Sequence, residues 1–201
     1  MSELSISHRQ TTARQGMWLF LLTEIMMFGG LFLLYATYRV RFPQDFGSSA
    51  RQLSLWLGAA NAAILLTGSC CTTISLTALR RGAKRLAVTM LVISVVMGGL
   101  FLFNHYLEWS DQIRAGIYPN SPYLDHMAHG KILFFGLYYV TLGLHGLHVL
   151  IGSVILAVMA VMIVRGSVTA EDPIKLENAA LFWHLVDVIW IFIFPLFYLM
   201  H

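Results

Sequence analysis

Eight histidines and ten carboxylic acids are spread over 201 residues, and only a few stand at spacings that could do chemistry. His145 and His148 are three apart, which puts two imidazoles on one helical face, where they could share a metal as Glu-x-x-His pairs do in bundle sites. His184, Asp187 and Trp190 follow one another at intervals of three, so an imidazole, a carboxyl and an indole share a second face. Glu24, Asn61 and Glu108 complete the set. Three chemistries could use such groups: metal or haem ligation by His145, His148, His184 and Glu108, a proton relay, or hydrogen bonds that fasten helices together. There is no H-E-x-x-H pair, no phosphate-cradling glycine loop and no nucleophile elbow.

The elements that must position these groups are apolar and long. The chain is 58% hydrophobic and 11% charged, against about 25% charged in a soluble domain. Five runs, 16–38, 53–79, 86–107, 132–164 and 179–200, each reach the roughly 20 apolar residues that cross a bilayer. The first and last hold one acid each, Glu24 and Asp187, and the other three hold no charge. None shows the alternation of barrel strands, so the expected fold is all-α, a polytopic bundle of five transmembrane helices. Residues 1–15 are expected as a short N-terminal segment and 16–201 as one membrane domain. The first run is too long for a signal peptide, and no small-residue cleavage site follows it, so it is expected to stay in the mature chain.

Basic residues set the expected orientation. The turn "RRGAKR" at 80–85 carries four cations and no acid. Placed in the cytoplasm, it puts the N-terminus inside and the C-terminus outside. Eight basic residues then lie inside (Arg9, Arg14, Arg80, Arg81, Lys84, Arg85, Arg165 and Lys175) and five outside. A net charge of +3 of this kind needs no nucleic acid to explain it. Cys70 and Cys71 are helix neighbours that point apart, so they read as small packing residues and not as a disulfide.

Polar and small residues fall in stripes. Tyr138, Thr141, His145, His148 and Gly152 share one face of the fourth run, and Gly58, Asn61, Gly68, Thr72 and Ser75 share one face of the second. Such stripes belong where helices meet, and Gly29–Gly30 and Gly98–Gly99 are expected to allow close approach. Glu108 is expected to end the third run on the outer side, while His184 lies in the inner half of the fifth. They cannot hold one ion together. No acid lies between the depth of Glu24 and that outer end, so a complete proton wire is not expected, though a partial one near the cytoplasmic face stays open. A polar cluster of Glu24, His184 and a group from the fourth run fits the depths.

Four motifs resemble the cytochrome c oxidase subunit III family, in its short five-helix bacterial form. "FWHLVDVIWIF" is similar to the family's Trp-His-x-x-Asp-x-x-Trp signature at Trp183, His184, Asp187 and Trp190. "LGLHGLHVLIG" resembles its Gly-x-His-Gly-x-His-Val run at Gly143, His145, Gly146, His148 and Val149. "LFLLTEIMMFGGLF" is similar to its Ser/Thr-Glu segment with Glu24, and "NHYLEW" to its Gln-x-x-Glu-Tyr with Glu108. His105 and Trp109 depart from that last motif, Leu142 replaces a common Thr, and the Pro and Thr around Asn61 are absent. The two extra N-terminal helices of longer members are absent too, as in the quinol oxidase version.

The resemblance implies a subunit of a proton-pumping haem–copper terminal oxidase in a bacterial inner membrane. It implies no catalytic residue, metal or cofactor in this chain, with haem and copper held by partner subunits and oxygen reduced in subunit I. Subunit I would be the main contact, with subunit II and a small subunit IV as further neighbours and structural phospholipid in clefts. The subunit would stabilise subunit I and support its proton uptake. Glu24, Asn61, Glu108, His145, His148, Trp183, His184, Asp187 and Trp190 then become intramembrane fasteners or lipid and partner contacts. The electron donor stays open between cytochrome c and quinol, and nitric oxide reductase has a related accessory subunit. A free-standing membrane metalloenzyme using His145 and His148, or a small transporter with a polar path, are the readings from other classes.

Overall fold

The computed structural model describes residues 3–200, with side chains for all of these except 3–10 and 125; Arg9, counted above, lies outside the described side chains. Among the described residues every element is helical. The order is α1 (Glu3–Arg41), α2 (Pro43–Ala50), α3 (Leu55–Arg80), α4 (Lys84–Arg114), α5 (Pro122–Asp125), α6 (His129–Val164) and α7 (Ile174–Phe194), closed by a π-helical turn, Pro195–Leu199. Five of these are long and apolar enough to cross a membrane: Thr11–Arg41, Leu55–Arg80, Lys84–Arg114, His129–Val164 and Ile174–Leu199.

The five helices stand where the apolar runs predict, but most reach further. Hydropathy follows the membrane, whereas helices continue through polar residues of good helix propensity until something stops them. Thus α4 runs six residues past Glu108 to Arg114, and Glu108 is buried inside it rather than ending it. α7 begins at Ile174, just after Pro173. The 36 residues of α6 span about 54 Å at 1.5 Å per residue, more than a hydrocarbon core of about 30 Å.

Glycine stops three of these helices: Gly82 after α3, Gly116 (φ of +78°) after α4 and Gly166 after α6. At Gly82, φ is +77°, and the amides of Gly82 and Ala83 return to the carbonyls of Leu79 and Ala78 at 2.9 Å each. That is the double bond of a Schellman cap, and it makes the tight α3–α4 turn inside the basic segment. Gly166, with φ of +76°, ends α6 in the same way. At the other end of the chain, Pro195 has no N–H to continue the α7 ladder, and the Met200 amide bonds back to the Pro195 carbonyl at 3.1 Å, five residues apart.

α3 and α4 form the most extensive pairing, followed by α4 with α6, and α7 packs on both α3 and α6. Hydroxyls lace the first pair. Thr72 and Ser94 lie 3.0 Å apart, both within reach of the Gly68 carbonyl, and Ser75 donates to the Ala87 carbonyl at 2.8 Å. α1 is mostly exposed along its apolar length, as suits a helix bathed in lipid. One end of the bundle is tied by Glu177 of α7, whose two oxygens lie 2.7 Å from Arg14 of α1 and Arg80 of α3. At the other end Tyr35, Phe46, Phe134 and Phe197 pack in tilted and edge-to-face contacts and seat the short α2.

Candidate functional site

The stripes meet around one indole. Trp183 is fully buried, and glycines of three other helices face it. A Cβ at Gly98 of α4 would stand 2.9 Å from its Cη2, one at Gly152 of α6 would stand 3.0 Å from Cε3, and one at Gly68 of α3 would stand 3.4 Å from Cζ2. Gly98 would also collide with the Ser153 hydroxyl. The small residues therefore form a socket for one ring of α7. By contrast Gly29, Gly30 and Gly99 face open space. Those three do not bring helices into close contact, contrary to expectation: Gly29 lines an open groove between α1 and α7, and a Cβ at Gly30 or Gly99 would meet no neighbour within 4 Å.

The ionisable groups sort into separate pairs. His148 Nε2 lies 2.9 Å from Glu24 Oε2, joining α6 to α1, while its Nδ1 lies 2.6 Å from the Leu144 carbonyl. A carbonyl only accepts, so Nδ1 carries a hydrogen. The hydrogen bond between Nε2 and the carboxyl oxygen gives each polar group a partner, which is what makes them tolerable at this depth. The pair forms the wall of a groove of about 550 Å³ between α1, α6 and α7, lined by Met17, Phe20, Ile155 and Phe182 and overlooked by Lys175.

His184 does not join that pair. Its Nδ1 lies 2.6 Å from Ser69 Oγ and its Nε2 lies 3.3 Å from Thr73 Oγ1, so it ties α7 to α3 instead. The Thr73 hydroxyl donates to the Ser69 carbonyl at 3.1 Å and therefore accepts from the ring. The Ser69 hydroxyl pairs with Nδ1, so both ring nitrogens have a partner on α3. Asp187, one turn on, is buried with no hydrogen bond to either oxygen among the described residues. The Ser69 hydroxyl, which pairs with His184, also interacts with this carboxyl.

Two further ties lie towards the far end. Asn104 of α4 donates to Asn61 of α3 at 3.0 Å. Glu108 receives the Tyr198 hydroxyl of the π turn, which stands 2.8 and 3.0 Å from its two oxygens, and His105 Nδ1 is 4.0 Å away. Tyr198, Ser69 and Thr73 carry no signal that marks them as partners in the sequence, since each pairing is set by the register between helices. His145 is fully buried, its ring 5.2 Å from Trp190 and 5.4 Å from Phe101, with neither nitrogen hydrogen-bonded among the described residues. The two histidines of "HGLH" thus serve different surroundings. Among the described residues no three His, Cys, Asp or Glu side chains converge as a metal-binding group.

The Glu24–His148 contact makes a testable distinction. Glu24→Gln keeps an amide that can donate to His148 Nε2, and is expected to leave the yield of folded chain close to wild type. Glu24→Leu strands that nitrogen at an interface where an interhelical bond is worth about 0.6–1.7 kcal/mol, and is expected to lower the thermal midpoint in detergent. Equal midpoints for the two variants would argue that the contact bears no load.

Known proteins resemble this chain over most of its length. The family profile described as "Cytochrome c oxidase subunit III" matches residues 5–201. The chain is 28% identical over 187 residues to the cytochrome bo(3) ubiquinol oxidase subunit 3 of Pseudomonas aeruginosa, covering 92% of this chain and 83% of that one. It is 28% identical over 194 residues to the cytochrome c oxidase subunit 3 of Gadus morhua, covering 92% and 68%. A protein of Aeropyrum pernix named heme-copper oxidase subunit I+III matches 92% of this chain at 26% identity over 192 residues, which is 22% of its own length.

Proposed function

Because the chain belongs to the cytochrome c oxidase subunit III family, we propose that it is the accessory subunit of a proton-pumping haem–copper terminal oxidase, without a redox centre of its own. Oxygen is reduced in subunit I, which this subunit stabilises and whose proton uptake it supports. The observation that carries the reading is the set of ties inside the membrane. Glu24–His148 joins α1 to α6, Ser69–His184 joins α3 to α7, Asn61–Asn104 joins α3 to α4, and Glu108–Tyr198 joins α4 to the last turn. Of the groups that would ligate a metal in an enzyme, His148, His184 and Glu108 are each hydrogen-bonded across two helices, and His145 is packed between Phe101 and Trp190. A rigid scaffold is what a larger catalytic partner can lean on.

Subunit I is the main neighbour in this reading, and the Aeropyrum protein, named for both subunits, supports it. The basic turn at 80–85 faces the cytoplasm of a bacterial inner membrane, and phospholipid fills clefts between the helices. Quinol is the alternative electron donor to cytochrome c, because relatives of both names match to a similar extent.

Purification through a tag on this chain tests the proposal. A haem-bearing larger subunit is expected to co-purify, and the chain stripped from it is expected to show no haem absorption and no stoichiometric metal. Turnover of the complex with reduced cytochrome c and with a quinol separates the donors. Metal or haem retained by the isolated chain would overturn the accessory role and favour a metalloenzyme built on His145 and His148.

A further inference from the structure

The basic end of the bundle holds two kinds of cation. Arg14 and Arg80 are committed within the chain, each 2.7 Å from Glu177. Lys84 and Arg85 are not. They stand exposed on the first turn of α4, beside the last turn of α6, and make no ion pair within 4.0 Å among the described residues. With Val88, Thr89, Ile163 and Val164 they line a groove of about 460 Å³. The two Schellman turns at Gly82 and Gly166 end α3 and α6 here, so both helix ends are held and the groove between them is built into the fold. One acid stands in the neighbourhood. Glu171 lies fully exposed on the α6–α7 connection, its carboxyl held below the ordinary range by the Thr169 hydroxyl first, then by its own backbone, with Lys84 adding to the effect.

We propose that this groove holds one anionic phospholipid, its phosphate between Lys84 and Arg85 and an acyl chain along Val88, Ile163 and Val164. The charge pattern selects the occupant. Two cations with no salt bridge within 4.0 Å among the described residues sit at the lip, where a lysine or arginine stem can lie along apolar surface with its head in the polar layer. The floor below them is aliphatic, which suits a hydrocarbon chain and gives a free phosphate nothing to hold. A zwitterionic headgroup would bring its own ammonium against the same two cations. Nearby cations contribute to anionic-lipid attraction at about 1 kcal/mol apiece, which is roughly fivefold for each. The inference deepens the phospholipid part of the function proposed above. It rests on the chain lying in a membrane, and not on the role beside subunit I.

The test is native mass spectrometry of the oxidase complex carrying this chain, equilibrated in detergent with phosphatidylglycerol or with phosphatidylcholine of the same acyl chains. Wild type is expected to retain phosphatidylglycerol about tenfold more tightly than phosphatidylcholine. Lys84→Ala with Arg85→Ala is expected to remove that preference, whereas Arg51→Ala with Arg114→Ala, two exposed cations placed elsewhere, is expected to keep it. Val88→Trp fills the floor while leaving both cations, and is expected to expel the lipid as well. Equal retention of the two lipids by wild type, or undiminished phosphatidylglycerol in the Lys84/Arg85 or Val88 variants, overturns the site. So does an equal loss in the Arg51/Arg114 control. A chain that purifies without a haem subunit sinks the accessory role alone, and the same lipid series on that chain still decides this proposal.

Discussion

Trp183→Ala is expected to be the most damaging single change in the membrane interior, lowering the stability of the folded chain by about 3 kcal/mol or more. The indole is fully buried, and its edges are met by the glycine faces of α3, α4 and α6. In lipid there is little hydrophobic gain from bringing helices together, so close contact between ring and backbone carries much of their association. Removing the ring leaves a void that three other helices cannot close without moving. The converse change is also severe: Gly152→Leu drives a side chain into the indole, whose Cε3 would already stand 3.0 Å from a Cβ. The socket makes a stronger claim than either variant alone. In the Trp183→Ala background the Leu at 152 has room, so the double variant is expected to lose clearly less than the sum of the two single losses. Thermal midpoints of the purified complex, with turnover measured per intact complex, read this out. Additive losses would mean that the two residues do not share one space.

Much of this socket was legible in the sequence and its partners were not, for a physical reason. A period of 3.6 places Gly58, Asn61, Gly68, Thr72 and Ser75 on one face whatever surrounds the helix, and all five are buried as expected. Periodicity says which face turns inward, but not which residue it meets. The spacing puts Glu24 level with Asp187 and one turn deeper than His184, close enough to suggest a shared cluster, yet Glu24 and His184 face different neighbours, His148 and the Ser69–Thr73 pair. The same limit separates two identical dipeptides. Gly98 lies under Trp183 while Gly29 and Gly30 lie against nothing, because an adjacent helix and not the local residues decides whether a small side chain is needed. Asp187 shows the limit from the other side. Its type and position mark it as a group that must be satisfied, but neither of its oxygens is hydrogen-bonded among the described residues. Tyr198 was invisible altogether, since its role depends on the π turn that Pro195 forces.

That turn leads to the second large effect. Glu108→Leu is expected to lower stability by about 2–3 kcal/mol, because it removes both carboxyl acceptors of the buried Tyr198 hydroxyl and leaves it only the Tyr138 hydroxyl as a polar neighbour. Tyr198 is buried and stands 2.8 and 3.0 Å from the two carboxyl oxygens, so one O–H is shared between two acceptors. Tyr198→Phe is expected to cost a similar amount by stripping the carboxyl of that donor. Removing both groups together removes the orphan, so the double variant is expected to recover part of the loss, giving a coupling of about 1 kcal/mol or more. Glu108→Gln keeps an acceptor for the hydroxyl and is expected to fall between wild type and Leu. The loss should appear first where the bond acts. Arg39 and Tyr35 of α1 also bind carbonyls of the last turn, at Met200 and Leu196, so α1 still holds the segment when α4 lets go. Limited proteolysis should therefore detach the last turn sooner in Glu108→Leu than in wild type, and sooner again when Arg39→Ala is added. If Glu108→Leu instead leaves both midpoint and proteolysis unchanged while abolishing turnover, the carboxyl serves the partner's chemistry and not the anchoring of this turn.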